Sequence, residues 1–128
     1  MDIKIGGERY PMTYTVEAQS EIAERFGGLE NIELALSDND TAKLMENIVF
    51  CACAMLNGAS NRLRAQCRMS GKEIPRLPEI TFDDLKKAIC VSEIAELTEA
   101  VVATMREGNK ITVELAEDRK NEEATRSE

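Results

Sequence analysis

Apolar and polar residues alternate at the start of the chain and change rhythm at residue 15. Ile3 and Ile5 alternate with Asp2 and Lys4, Gly6-Gly7 interrupts, and Tyr10, Met12 and Tyr14 resume the period against Arg9 and Thr13. A period of two on both sides of Gly-Gly predicts a β-hairpin over residues 2–14, closed by a two-residue turn, because glycine takes the positive φ angles such a turn demands. A lone hairpin is only marginally stable in water, so this one is expected to rest on the helices that follow.

From Thr15 onward the apolar spacing becomes helical. Thr15 reads as an N-cap, and residues 16–26 as an amphipathic helix with Ala18, Ile22, Ala23 and Phe26 inward. Glu17 suits the positive end of the helix dipole, and Glu21 and Arg25 are placed for an i,i+4 pair on the wet side. Gly27-Gly28 stops this helix. Leu29, Ile32, Ala35 and Leu36 define a short helix over 29–36, ended by Ser37-Asp38-Asn39-Asp40. Asp40 then caps a long helix over 41–69, whose stretch Ile48 to Leu56 contains no polar residue. A helix that is apolar all round is buried on all sides. It is either the centre of the domain or part of an interface, and in the second case Phe50 and Met55 are the candidate contact residues. Asn57-Gly58 lowers helix propensity by about 1 kcal/mol relative to alanine, which predicts a kink or break.

Pro75 and Pro78 mark a loop over 70–80. Thr81 with Asp84 resembles a capping box for a helix over 82–90 with Phe82, Leu85 and Ile89 inward. Ser92 is the expected cap of a helix over 93–107, with Ile94, Leu97, Val101 and Met105 inward and Gly108-Asn109 as its stop. Ile111, Val113 and Leu115 alternate again, a candidate third strand over 111–115. Residues 116–128 are charged and lack large apolar side chains, the composition of a disordered tail. The expected fold class is therefore α+β, mostly α: a hairpin packed on about five helices in a single domain over 1–115.

At 128 residues the chain is long enough to bury a real core, and its net charge of −8 disfavours nucleic acid and anionic membranes as partners. No apolar run approaches the roughly 20 residues needed to span a bilayer. The start, Met1-Asp2-Ile3-Lys4, lacks the basic and apolar segments of a signal peptide, which makes a cytoplasm the expected compartment. Four cysteines, Cys51, Cys53, Cys67 and Cys90, fit no common zinc spacing, and there is no histidine to complete a mixed site. Buried free thiols, with no metal or cofactor, are the expectation.

Without histidine, serine–histidine and cysteine–histidine catalysis has no base. The glutamates fall on solvated helix faces, neither glycine pair matches a phosphate loop, and Asp38-Asn39-Asp40 lacks the remaining ligands of a calcium loop. No catalytic residue is assigned, and the chain is read as a non-enzyme. One charge feature stands apart. Arg62, Arg64, Arg68, Lys72 and Arg76 cluster around the single acid Glu73. The plain reading is a solvated helix end that complements the dipole. The functional readings are contact with an acidic protein or, less favoured for want of an aromatic platform, with nucleic acid.

The order Ile3-Lys4-Ile5-Gly6-Gly7-Glu8-Arg9-Tyr10, then Tyr14-Thr15, Ala18, Glu21-Ile22 and Arg25-Phe26-Gly27, resembles the tail assembly chaperones of long-tailed bacteriophages and their prophages. The resemblance spans roughly Ile3 to Leu115. It implies a non-enzymatic helper in the host bacterial cytoplasm, absent from the finished virion, that binds the tape-measure protein and the tail-tube protein during assembly. Such helpers are often made in two lengths by a ribosomal frameshift, and Arg119-Lys120-Asn121 is encodable by an adenine-rich run that permits slippage. Self-association stays open. The alternative is a small regulatory adaptor that touches nucleic acid through the basic cluster.

Overall fold

The structure, a computed structural model, describes residues 1–109. The expected third strand (111–115), the charged tail and the Arg119-Lys120-Asn121 run lie outside the described residues. Strands β1 (Asp2–Ile5) and β2 (Glu8–Pro11) pair antiparallel, with Ile3 opposite Tyr10 and Ile5 opposite Glu8. Gly6 and Gly7 take φ angles of 59° and 87°, so both central residues of the turn lie in the left-handed region, which carries the right-handed twist of the strands through the loop.

The sheet is shorter than the alternation, because the chain leaves it after Pro11 and turns into the core. Met12 is buried there, Tyr14 is half-buried, and the Thr13 amide donates to the Met55 carbonyl at 3.0 Å. Tyr10 packs at the edge of the core while its hydroxyl donates to Glu8 at 3.0 Å.

Helix α1 (Val16–Phe26) starts where Thr15 Oγ1 accepts the Ala18 amide at 3.1 Å. It ends at Gly27, whose φ of 80° lets its amide reach back to Ala23. Ala18 and Ile22 are buried. The expected Glu21–Arg25 ion pair does not form: Arg25 instead lies over the rings of Phe50 and Phe82, 4.6 and 5.1 Å from their centroids. Among the described residues the ion pair that does form is Lys87–Asp83, at 2.9 Å and exposed. The single helix expected over 29–36 is a 3-10 turn, Leu29–Asn31, followed by α2 (Ile32–Ala35). Ile32 and Leu36 pack on the core, but Leu29 does not: it is exposed.

Helix α3 (Thr41–Met69) is capped by Asp40, which accepts the Ala42 and Lys43 amides. It is the central helix. Ile48, Val49 and Cys51 to Leu56 are buried among α1, the helix α4 (Phe82–Ala88) and the chain behind β2. The kink or break expected at Asn57-Gly58 is absent. A Cβ at position 58 would stand 2.6 Å from the Thr13 carbonyl oxygen, so glycine here admits a neighbouring backbone and does not interrupt the helix. Asn57 is also employed in full. Its side chain accepts the Ile80 amide at 3.0 Å and donates to the Ile80 carbonyl at 2.6 Å, tying the proline loop back to α3.

Helix α4 is two residues shorter than expected. Half of the expected capping box forms: Thr81 Oγ1 accepts the Asp84 amide at 3.1 Å, while the short Asp84 side chain makes no return bond to the Thr81 amide among the described residues. Ile89 and Cys90 then take extended conformations and enter a 3-10 turn, Val91–Glu93. Ser92 lies inside that turn and is no cap. The capping contact comes from Glu93, whose carboxylate accepts the Cys90 amide at 2.8 Å. Helix α5 follows over 94–109 and lays Leu97, Val101 and Met105 into the core. It continues through Gly108-Asn109, the expected stop. Gly108 is again a close approach, since a Cβ there would meet the Tyr14 ring at 2.8 Å.

Candidate interaction surface

The structure separates the residues that the sequence singled out. Met55 is fully buried and presents no surface to a partner, so for this residue the core reading holds. Phe50 is half-buried, at the centre of an aromatic chain that joins three helices. Its ring lies edge-on to Phe26 of α1 at 6.2 Å and to Phe82 of α4 at 5.5 Å, under the Arg25 guanidinium. Offset and edge-on aromatic pairs contribute about 0.5–1.5 kcal/mol beyond area burial, and cations over rings somewhat less. Phe50 therefore holds α1, α3 and α4 together while remaining partly exposed.

Of the basic cluster, Arg62, Arg68, Lys72 and Arg76 are exposed, on the last turns of α3 and the loop after it. Arg64 differs. It is half-buried, donates to Asn61 at 2.8 Å and to the Leu77 carbonyl, and so fastens the returning loop to the helix. A guanidinium used as a structural tie is legible in sequence only as one more cation.

The thiols divide by depth. Cys51 and Cys53 are buried, and burial pushes them up to about 12 and about 11, so they stay protonated and inert. Cys53 also donates to the Ile80 carbonyl at 3.3 Å. Cys67 is half-buried and Cys90 exposed, contrary to the expectation that all four are buried. Among the described residues, no three His, Cys, Asp or Glu side chains converge as a metal site, and no helix is long and apolar enough to cross a membrane.

Among the described residues, a broad apolar groove lies elsewhere, between α1, α2 and α5. It encloses about 780 Å³. One wall carries Leu29, Ile32 and Leu36, the other Val102 and Met105, with Val16 at the mouth. Val16 and Leu29 are 85 % and 55 % exposed. Glu33 and Arg106 are its charged lining residues. Residues 27–40, which build one wall and its approach, hold Glu30, Glu33, Asp38 and Asp40 with no Lys or Arg. The sequence carried one sign of this surface. A helix of about eight residues with Leu29, Ile32, Leu34, Ala35 and Leu36 has apolar side chains on more than one face, and so short an element cannot bury them all. Comparisons with family models, curated proteins and solved structures found no match.

Proposed function

We propose that this chain is a non-enzymatic tail assembly chaperone of the long-tailed bacteriophage kind, acting in the bacterial cytoplasm. It covers apolar helical segments of the tape-measure protein, engages tail-tube subunits during assembly and is released before the virion is complete. The observation that carries this reading is the open apolar groove on a small acidic protein. Leaving large apolar side chains in water forgoes about 25 cal/mol per Å² of burial, a cost that a binding protein recovers when its partner docks.

The residues that bear the family resemblance support the reading from a second side, because they act as one unit. Ile3 enters the core, Gly6-Gly7 closes the hairpin, Thr15 caps α1, Ala18 and Ile22 bury its inner face and Gly27 ends it. The test is co-expression with the protein of the neighbouring gene, which this reading expects to be long and helical. Its soluble fraction is expected to rise and the two to co-purify. Unchanged solubility without co-purification would sink the proposal. Salt-dependent retention on DNA, lost in an Arg68→Glu, Arg76→Glu variant, would instead favour the adaptor reading.

A further inference from the structure

We infer that β1 pairs edge to edge with β1 of a second copy of this chain, antiparallel about Ile3, and so joins the two-stranded sheets of both copies into one. The backbone shows which edge is open. The Met12 amide donates to the Met1 carbonyl at 2.8 Å, and the register sets Ile3 opposite Tyr10 and Ile5 opposite Glu8. Bonded positions alternate in an antiparallel pair, so Ile3 and Ile5 face β2 while the N–H and C=O groups of Asp2 and Lys4 point away from it. Among the described residues those groups have no further backbone partner. β2 offers no equal edge: Arg9 and Pro11 are its outward positions, and proline has no N–H to give. Beside β1 the chain leaves room. An opening of about 280 Å³ is lined by every residue of β1 together with Ile89, Leu97 and Ala100, and Asp2 and Lys4 are exposed.

A second copy is the occupant because this edge complements itself. Centred on Ile3, an antiparallel pairing sets Asp2 opposite Lys4 of the second copy and Lys4 opposite its Asp2. These are the residues with outward N–H and C=O groups, so each such pair exchanges both backbone bonds and brings unlike charges together on one face. In the single chain Lys4 stands opposite Arg9, a like-charge pair that costs stability. Glu93 and Glu96 border the same opening, but among the described residues neither forms an ion pair with Lys4 or Arg9. Asp2 of the second copy supplies the missing countercharge. The other face adds apolar contact. Met1 shares the parity of Ile3 and Ile5 and is 63 % exposed. The same register sets it opposite Ile5 of the second copy, which lines the opening with Ile89, Leu97 and Ala100. The dimer goes beyond the chaperone reading and does not depend on it.

The test is sedimentation of the full chain with charge reversals at the pairing positions. Wild type is expected to dimerise as concentration rises. Asp2→Lys sets Lys against Lys across the interface, and Lys4→Asp sets Asp against Asp. Each variant alone is therefore expected to weaken the dimer at least about tenfold. An equimolar mixture of the two restores both unlike pairs and is expected to recover it. Both positions are exposed, Asp2 lies opposite Pro11, and Lys4→Asp gives Arg9 an unlike partner, so both variants keep their fold by circular dichroism. Arg68→Glu is expected to leave the dimer unchanged. In wild type the Asp2 and Lys4 amides are expected to exchange hydrogen more slowly as concentration rises. A wild type that stays monomeric at millimolar concentration, a dimer that neither reversal weakens, or a mixture that stays monomeric would overturn the inference. So would amide exchange that ignores concentration, or dissociation by Arg68→Glu, which would place the contact on the basic end of α3. If wild type dimerises but never co-purifies with the neighbouring gene's protein, the interface stands and the chaperone reading falls. Co-purification by a monomeric wild type does the reverse.

Discussion

The Thr13 carbonyl oxygen lies 2.6 Å from the point where a side chain at Gly58 would begin, and the Thr13 amide donates to Met55 one turn earlier in the same helix. The segment behind the hairpin is thereby seated directly on the backbone of the central helix. Gly58→Ala sets a propensity gain of about 1 kcal/mol against overpacking of about 1–3 kcal/mol, and the neighbour that must yield is backbone. The expected result is a melting temperature lowered by several degrees. A variant more stable than wild type would show that the approach relaxes freely.

Asn57 holds both backbone groups of Ile80. In Asn57→Ala the Ile80 amide loses its partner, at about 1–3 kcal/mol, and the Ile80 carbonyl keeps only the weak Cys53 thiol donor. The loop 70–80 is then expected to detach first, and limited trypsin digestion to cut faster after Lys72 and Arg76. Arg64→Ala should act in the same direction through the lost Leu77 contact, whereas Arg62→Ala should not. Equal digestion rates for all three variants would contradict the assignment.

Arg25 spans Phe50 and Phe82 and forms no ion pair with Glu21. Arg25→Ala is therefore expected to lower stability by about 1 kcal/mol in urea unfolding. Glu21→Gln is expected to be neutral or slightly stabilising, because burial and the neighbouring acids Glu17, Glu79 and Glu24 already raise its carboxyl above the usual range. If Glu21→Gln cost as much as Arg25→Ala, the helical ion pair would be restored to the argument.

Burial raises Cys51 from about 9 to about 12 in the folded state. Below pH 9 the thiol is neutral whether the chain is folded or not. Between the two values the unfolded chain loses a proton that the folded chain keeps, so stability falls as pH rises through this window. The denaturant midpoint is expected to drop between pH 8 and pH 10.5, and the drop to shrink in Cys51→Ala. In native protein Cys90 should react first with a thiol reagent, and Cys51 and Cys53 only on unfolding. Rapid labelling of all four would refute the packing.

The local grammar of the chain was legible because it rests on near-neighbour physics. A Gly-Gly turn needs only two residues free of a Cβ, and the caps at Thr15, Asp40 and Thr81 need only a side-chain oxygen two or three residues ahead of an unpaired amide. The bounds of α1 and α3 and the buried stripe of each followed from this, together with the mostly helical α+β class. What depended on partners distant in sequence was not legible. Gly58 and Gly108 read as helix breakers but admit Thr13 and Tyr14; Asn57 and Arg64 read as a weak helix former and a solvated cation but fasten the loop at Ile80 and Leu77; Arg25 left its expected neighbour for two aromatic rings. Helical periodicity states which side chains share a face, but only the assembled helices decide which face meets another and which stays open. Leu29 shows the limit: its position on the helix marked it for the core, and the approach of α1, α2 and α5 left it in water at the mouth of a groove.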